Sequence, residues 1–227
     1  MWAVYKKELK SYFLSPIGYV VTGILLFVFS VFFYLTTIST VSIELGELYY
    51  STAYFGFLIT IPILTMRMFA EERKNGTEQL ILTSPVSVAG VVFGKLFAAM
   101  TVIFVALLIS FVYFGILCYF GNPNIIVVLV MMLGFLLVSG AGISIGMFAS
   151  SITENQIIAG IITIGFLIMS LFVPQLGEEF KMITIMDFYQ KFPSGVISLT
   201  EVVSALSFAG MFIAFTIIVM QRRKLVK

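Results

Sequence analysis

The chain has 227 residues, 60% of them hydrophobic and 11% charged, with a net charge of +2, one cysteine and no histidine. Soluble domains are about 45–50% apolar and about 25% charged, so this balance excludes them and points to a protein embedded in lipid. The lone Cys118 rules out an internal disulfide framework, and the lack of histidine removes Ser-His and Cys-His catalysis and histidine-bound zinc.

The small net charge gives no reason to expect a nucleic-acid partner, and no metal site is expected. Cys118 sits in an apolar run and is read as a small buried hydrophobe. The length allows a single all-α transmembrane domain of six spans, each of about 20 residues.

Residues 1–15 alternate aromatic and basic positions. Trp2, Tyr5 and Phe13 recur at helical spacing, while Lys6 and Lys10 fall mainly on other faces. This predicts an amphipathic helix in the membrane interface, rings at headgroup depth and lysines toward anionic lipid. Pro16 opens a first span over about 17–38, too long for a signal-peptide core. A short acidic loop with Glu44 and Glu47 follows, then a second span over about 49–66 with Pro62 as a kink.

Residues 67–95 form a polar island that cannot lie in hydrocarbon. Arg67, Glu71, Glu72, Arg73, Lys74 and Glu78 crowd its first part, and Lys95 stands apart at its far end. Asn75-Gly76 is a turn signal. Thr77 suits an N-cap for a short helix over 78–83, with Glu78 near its positive end. Ser84-Pro85 would end that helix, and Ser87 can cap the next, long one.

The stretch 96–154 has no internal charge and is too long for one crossing. Gly121-Asn122-Pro123-Asn124 divides it into spans over about 96–120 and 125–149. The second of these is rich in small residues, and Gly142 and Gly146 form a G-x-x-x-G pair suited to close helix packing. Packing within one subunit and packing between subunits are both open. Thr153 can cap the fifth helix, with Gln156 at the capping-box position. That span covers about 156–173. An amphipathic external segment over 174–201 fits an interfacial or re-entrant helical pair, and a last span over about 202–220 is closed by Arg222, Arg223, Lys224 and Lys227.

Six spans put both termini on one side. With the termini inside, Lys6, Lys7, Lys10, Arg67, Arg73, Lys74, Lys95 and the C-terminal cations are inside, against Lys181 and Lys191 outside. Lys and Arg are retained in the cytoplasm, so the expected placement is the cell (inner) membrane with both termini and the polar island cytoplasmic.

The run FAEERKNGTEQLILTSPVS, followed by a Gly-Lys at 94–95, resembles the loop between the second and third spans of type-2 ATP-binding-cassette exporter permeases, especially the gliding-motility-type branch. YKKELKSYFLSPIGYVV is similar to that family's N-terminal connecting helix, FASSITENQ to its turn before the fifth span, and MDFYQKFPSGVISLTEVV to its outer segment. The resemblance covers almost the whole chain. It implies that the 67–95 loop carries a coupling helix that docks on a separate ATPase subunit. The residues carried over for docking are Glu71, Glu72, Arg73, Lys74, Gly76, Thr77, Glu78, Leu80 and Thr83. It also implies a second permease, in a homodimer or a heterodimer, and ATP and magnesium bound by the partner ATPase, with no cofactor in this chain.

The residues agree with a non-enzymatic transport subunit. No acid or base lies deep in a predicted span, which disfavours ion-coupled carriers and aspartyl intramembrane proteases. Gly90, Gly94 and Lys95 have the wrong spacing for a phosphate loop, and Leu96 replaces its Ser/Thr. A non-transporting scaffold or assembly factor and an ATP-independent channel are the alternatives. The substrate-binding residues are unknown; the lack of a charged cluster leans toward lipid-like or amphipathic cargo.

Overall fold

The computed structural model describes residues 1–79, 86–172 and 184–225. Among these, every regular element is helical. In chain order they are α1 (Trp2–Leu14), α2 (Pro16–Phe32, continued by a wider π turn, Phe33–Ile38), α3 (Gly46–Thr65), α4 (Ala70–Lys74), α5 (Val88–Phe120), α6 (Ile125–Ile152) and α7 (Gln156–Phe172). Two 3-10 turns, Ile185–Tyr189 and Phe192–Ser194, then lead to α8 (Leu199–Leu225).

Local chemistry sets these boundaries. Ser15 is extended, and Pro16 takes the first turn of α2, where its missing N–H costs nothing. Ser87 caps α5 by accepting from the Gly90 N–H at 3.1 Å, as its sequence position suggests. The cap expected at Thr153 for the fifth span lies elsewhere. Asn155, directly before α7, accepts from the Ile157 N–H at 2.9 Å, and Thr153 accepts from the Asn155 N–H at 3.1 Å. Asn is as good a cap as Thr and sits one position before the helix, so it takes the role.

Among the described residues, five helices are long and apolar enough to cross a membrane; α7 is a shorter apolar helix. At 33 residues α5 is about 50 Å long, well beyond the roughly 30 Å hydrocarbon core. It starts at Val88, and its first two turns, through Lys95, belong to the polar end of the bundle. At the other end of the chain, α8 continues through Arg222, Arg223 and Lys224.

Helix α6 is the centre of the bundle. A Cβ on Gly142 would meet Ile61 Cδ1 at 2.5 Å, and one on Gly146 would collide with the Thr65 side chain. In this chain the G-x-x-x-G pair packs α6 against α3. Gly134, about two turns before Gly142, receives the ring of Phe192. Phe135 beside it contacts the rings of Phe29, Tyr49, Phe57 and Tyr189. Aromatic pairs of this kind contribute about 0.5–1.5 kcal/mol each beyond area burial.

The external segment, expected as an interfacial or re-entrant helical pair, is described only in its second part. Residues 173–183 lie outside the described residues. The rest forms the two 3-10 turns, with Ile185, Met186, Phe188, Tyr189 and Phe192 buried in the bundle. The Tyr189 hydroxyl donates to the Met131 carbonyl at 3.1 Å, and the Ile185 N–H donates to Ser170 Oγ at 2.8 Å. The apolar face of these turns packs on α6. Cys118, expected to be buried, is exposed on the outer wall of α5.

Both chain ends meet the same end of the bundle. Lys7 of α1 pairs with Glu72 at 3.0 Å, and Arg223 of α8 pairs with Glu78 at 3.2 Å. This basic end carries the 67–79 segment; residues 38–46, 121–124 and 185–198 gather at the other.

Candidate functional site

The candidate site is the 67–79 segment and what holds it. Its backbone turns out of α3 at Met66 and enters α4 at Ala70. The α4 N-cap position is Phe69, whose side chain has no capping atom. The cap comes from another helix. Ser150 Oγ, fully buried near the end of α6, accepts from the Phe69 and Ala70 N–H groups, both at 3.1 Å. Its own proton goes to the Met66 carbonyl at 3.2 Å. One hydroxyl thus joins the end of α3, the start of α4 and α6. Orphan donors at a buried helix start need such a partner.

A charge network makes the second attachment. Lys95 is 2% exposed, and its ammonium lies 2.9 Å from Glu72 and 3.0 Å from Glu8. It also sits 5.3 Å from the centre of the Phe69 ring. Lys7 approaches the same two carboxylates, at 3.0 Å from Glu72 and 3.4 Å from Glu8. Two acids and two bases balance, which is what makes burial of Lys95 tolerable. Burial alone would lower the Lys7 pKa, but the adjacent Glu72 and Glu8 carboxylates outweigh it and raise the value above the ordinary lysine range. A raised lysine pKa contributes stability below the unfolded value and loses it only as pH rises through the folded one. Lys7 therefore keeps its charge throughout the neutral range.

Three more contacts complete the set. Arg67 grips Glu71 with two 2.6 Å hydrogen bonds, one turn apart on the same stretch. Arg73 pairs with Glu154 at 2.6 Å and donates to the Ile152 carbonyl at 3.2 Å. Glu78, 6% exposed, pairs with Arg223. Asn75-Gly76 makes the turn its sequence suggests, with Gly76 at φ +72°, a left-handed conformation that favours glycine. The Thr77 hydroxyl donates back to the Glu72 carbonyl at 3.2 Å.

The residues read from sequence as a docking set therefore divide. Lys74, Gly76 and Thr77 are exposed, and a Cβ on Gly76 would meet open space. Glu72 and Glu78 turn inward, and Glu71 and Arg73 are half-buried in ion pairs. Leu80 and Thr83, with most of the short helix expected over 78–83, lie outside the described residues.

The N-terminal helix is likewise two-sided. Trp2 is exposed, stacks on Tyr5 at 5.2 Å and carries the Lys6 ammonium 5.3 Å over its ring. Lys10 is exposed, and Phe13 meets Tyr19 edge-on at 6.2 Å. The opposite face is protein. The Tyr5 hydroxyl is 3.1 Å from Thr101 Oγ1, and Tyr12, 8% exposed, donates to the Leu64 carbonyl. Glu8 lies between them. Its spacing from Tyr5 and Tyr12 puts it on their face rather than with Lys6 and Lys10. That spacing was the available signal for Glu8, which the interfacial reading passed over.

Gly90, Gly94 and Lys95 lie inside α5. Their backbone donors run along a helix and do not form a phosphate-binding loop.

The profile of the family described as "ABC-2 family transporter protein" matches residues 2–221, nearly the whole chain. The chain belongs to the ABC-2 transporter family. No curated protein matches it. Membership makes it a multi-pass membrane component of a transporter, a permease-type subunit whose ATPase partner is a separate chain. The apolar helices of the bundle agree with this.

Proposed function

We propose that this ABC-2 subunit is the membrane half of an ATP-driven exporter of the gliding-motility-type branch, and that the 67–79 segment receives the motion of a docked ATPase. The observation that carries this reading is how the segment is fastened. It is continuous with α3, pinned to α6 by Ser150, clamped to α5 and α1 by Lys95 and Lys7, tied to the turn before α7 by Glu154, and joined to α8 by Arg223. A displacement applied at one exposed turn is therefore passed to most of the bundle. Packed, ion-paired elements shift as units rather than deforming continuously.

In this reading two permeases, identical or different, form the pathway between them, and two ATPase subunits sit beneath the basic ends. ATP and magnesium are held by those subunits, and this chain binds no cofactor. Lys74, Gly76 and Thr77 belong to the surface presented to the ATPase, and Leu80 and Thr83, outside the described residues, are assigned to the same docking set by the family resemblance. Glu71, Glu72, Arg73 and Glu78 hold that surface in place. ATP-driven closure pushes α4, and the bundle rocks between inward and outward access.

Two arguments support six crossings with both termini cytoplasmic in the cell (inner) membrane. Helix α7 starts at the Arg73–Glu154 contact and brings Ser170 to the 185–189 turn, so it runs from one end of the bundle to the other. Chain ends that share one end need an even number of crossings, which makes α7 the sixth member despite its length. The excess of Lys and Arg at that end agrees with cytoplasmic retention.

The test is accessibility. In a Cys118→Ser background, Asn75→Cys is expected to react with a membrane-impermeant maleimide only after intact cells are permeabilised. Labelling of intact cells at residue 75 would reverse the orientation and remove the docking role.

A further inference from the structure

At the basic end the acids are all engaged and the bases are in excess. Among the described residues there, Glu8, Glu71, Glu72, Glu78 and Glu154 each have a cation within ion-pair distance. Lys74, Arg222 and Lys224 are exposed and make no ion pair. The sequence over 80–85 contains no charged residue to balance them. Charge left over after all internal pairing is available to a partner.

The excess borders a cavity of about 410 Å³ between the 73–79 stretch and the last turn of α8, lined in part by Arg73, Gly76, Glu154, Arg222 and Arg223. Two of its cations, Arg73 and Arg223, are occupied by Glu154 and Glu78. Arg222 lines the cavity with no ion partner, and Lys74 follows Arg73 at the exposed turn.

We infer that this cavity is an acceptor for acidic side chains of the docked ATPase: a carboxylate pairs with Arg222, and a second acidic position faces Lys74. The inference rests on the proposed function for the presence of an ATPase, and adds the chemistry of its contact surface. A protein fits the cavity better than a lipid phosphate. Its walls carry Glu78 and Glu154 as well as arginines, and a protein surface can hold a single carboxylate at Arg222 clear of them. The open Gly76 turn also offers exposed backbone groups to a protein surface. The contact consists of exposed charges, so it governs association rate and salt sensitivity.

The experiment uses the affinity-tagged full-length chain, purified from its native membranes in detergent at about 0.1 M and at about 1 M NaCl, where the screening length falls from about 10 Å to about 3 Å. Mg-ATP hydrolysis is measured in the eluate, and the co-purifying subunit is identified by its Walker motifs. The wild type should bring the ATPase at low salt and less of it at high salt. Lys74→Glu/Arg222→Glu should recover about tenfold less, roughly the scale at which like charges reject a partner. Lys74→Arg/Arg222→Lys should behave as wild type, and both variants should elute from size exclusion as the wild type does. If the wild type brings no ATPase at either salt, the proposed function fails. If the wild type does and the charge-reversed protein brings as much, the acidic contact is wrong while the function stands. A reversed protein that keeps its ATPase but loses sedimentation with phosphatidylglycerol vesicles would assign the cations to lipid, and would equally overturn the inference.

Discussion

Lys95→Met is expected to destabilise the protein by about 3–5 kcal/mol, the scale seen when one partner of a buried ion pair is removed. The substitution has little effect on volume but large electrostatic consequences. It leaves Glu8 and Glu72 facing one another inside the protein, with Lys7 as their remaining cation. The Lys7 side chain is 59% exposed, whereas that of Lys95 is 2% exposed. Lys7 alone is a screened surface partner worth about 0–1 kcal/mol. Domains are stable by only about 5–15 kcal/mol, so the single variant should show a sharply lower melting temperature in detergent and a loss of monodisperse protein. The same site neutralised throughout, as Glu8→Gln/Glu72→Gln/Lys95→Met, should recover much of that loss, because no charge is then left buried and unpaired. A single variant that melts with the wild type would mean that the network does not hold α1 to α4.

Ser150→Ala should cost about 2 kcal/mol, a large effect for the loss of one oxygen atom. The hydroxyl accepts from two buried backbone donors at the start of α4, and neither has another acceptor in view. An unsatisfied buried donor costs about 1–3 kcal/mol, and a lost N-cap about 0.5–2 kcal/mol. Ser151 supplies the comparison. It is equally buried, but its hydroxyl donates only to Phe148 of its own helix, at 2.7 Å. Ser151→Ala should therefore change the melting temperature far less. The two variants also separate function from stability. Loosening α4 from α6 should reduce ATP hydrolysis by the assembled complex for Ser150→Ala more than for Ser151→Ala. Equal effects of the two substitutions, on melting or on hydrolysis, would contradict the pin.

Much of the bundle was legible in the sequence because hydrocarbon imposes a one-dimensional rule. A span must be apolar for about 20 residues, and turns such as Gly121-Asn122-Pro123-Asn124 interrupt it. Local capping chemistry was legible for the same reason: Ser87 and Asn75-Gly76 act within a few residues of themselves. Contacts between distant residues were not. Lys95 read as an isolated charge at the edge of a span, because its partners are 87 positions away at Glu8 and in α4. Ser150 read as part of a small-residue helix and a turn, and nothing local distinguishes it from Ser151. Glu72 read as a surface acid because charge pattern does not say which side of a helix is covered. The fate of Gly142 and Gly146 needed α3 to be in place. In each case the partner was missing, which is the information that only packing supplies.

The measurement that bears most directly on the account is site-specific photocrosslinking in native membranes, in the Cys118→Ser background. A benzophenone maleimide is attached at Asn75→Cys, on the exposed turn after α4, or at Ile43→Cys, which is exposed at the opposite end of the bundle. The account predicts a covalent adduct with a Walker-motif ATPase from position 75 and none from position 43. An ATPase adduct from position 43, or a co-purifying ATPase that never crosslinks to position 75, would contradict it.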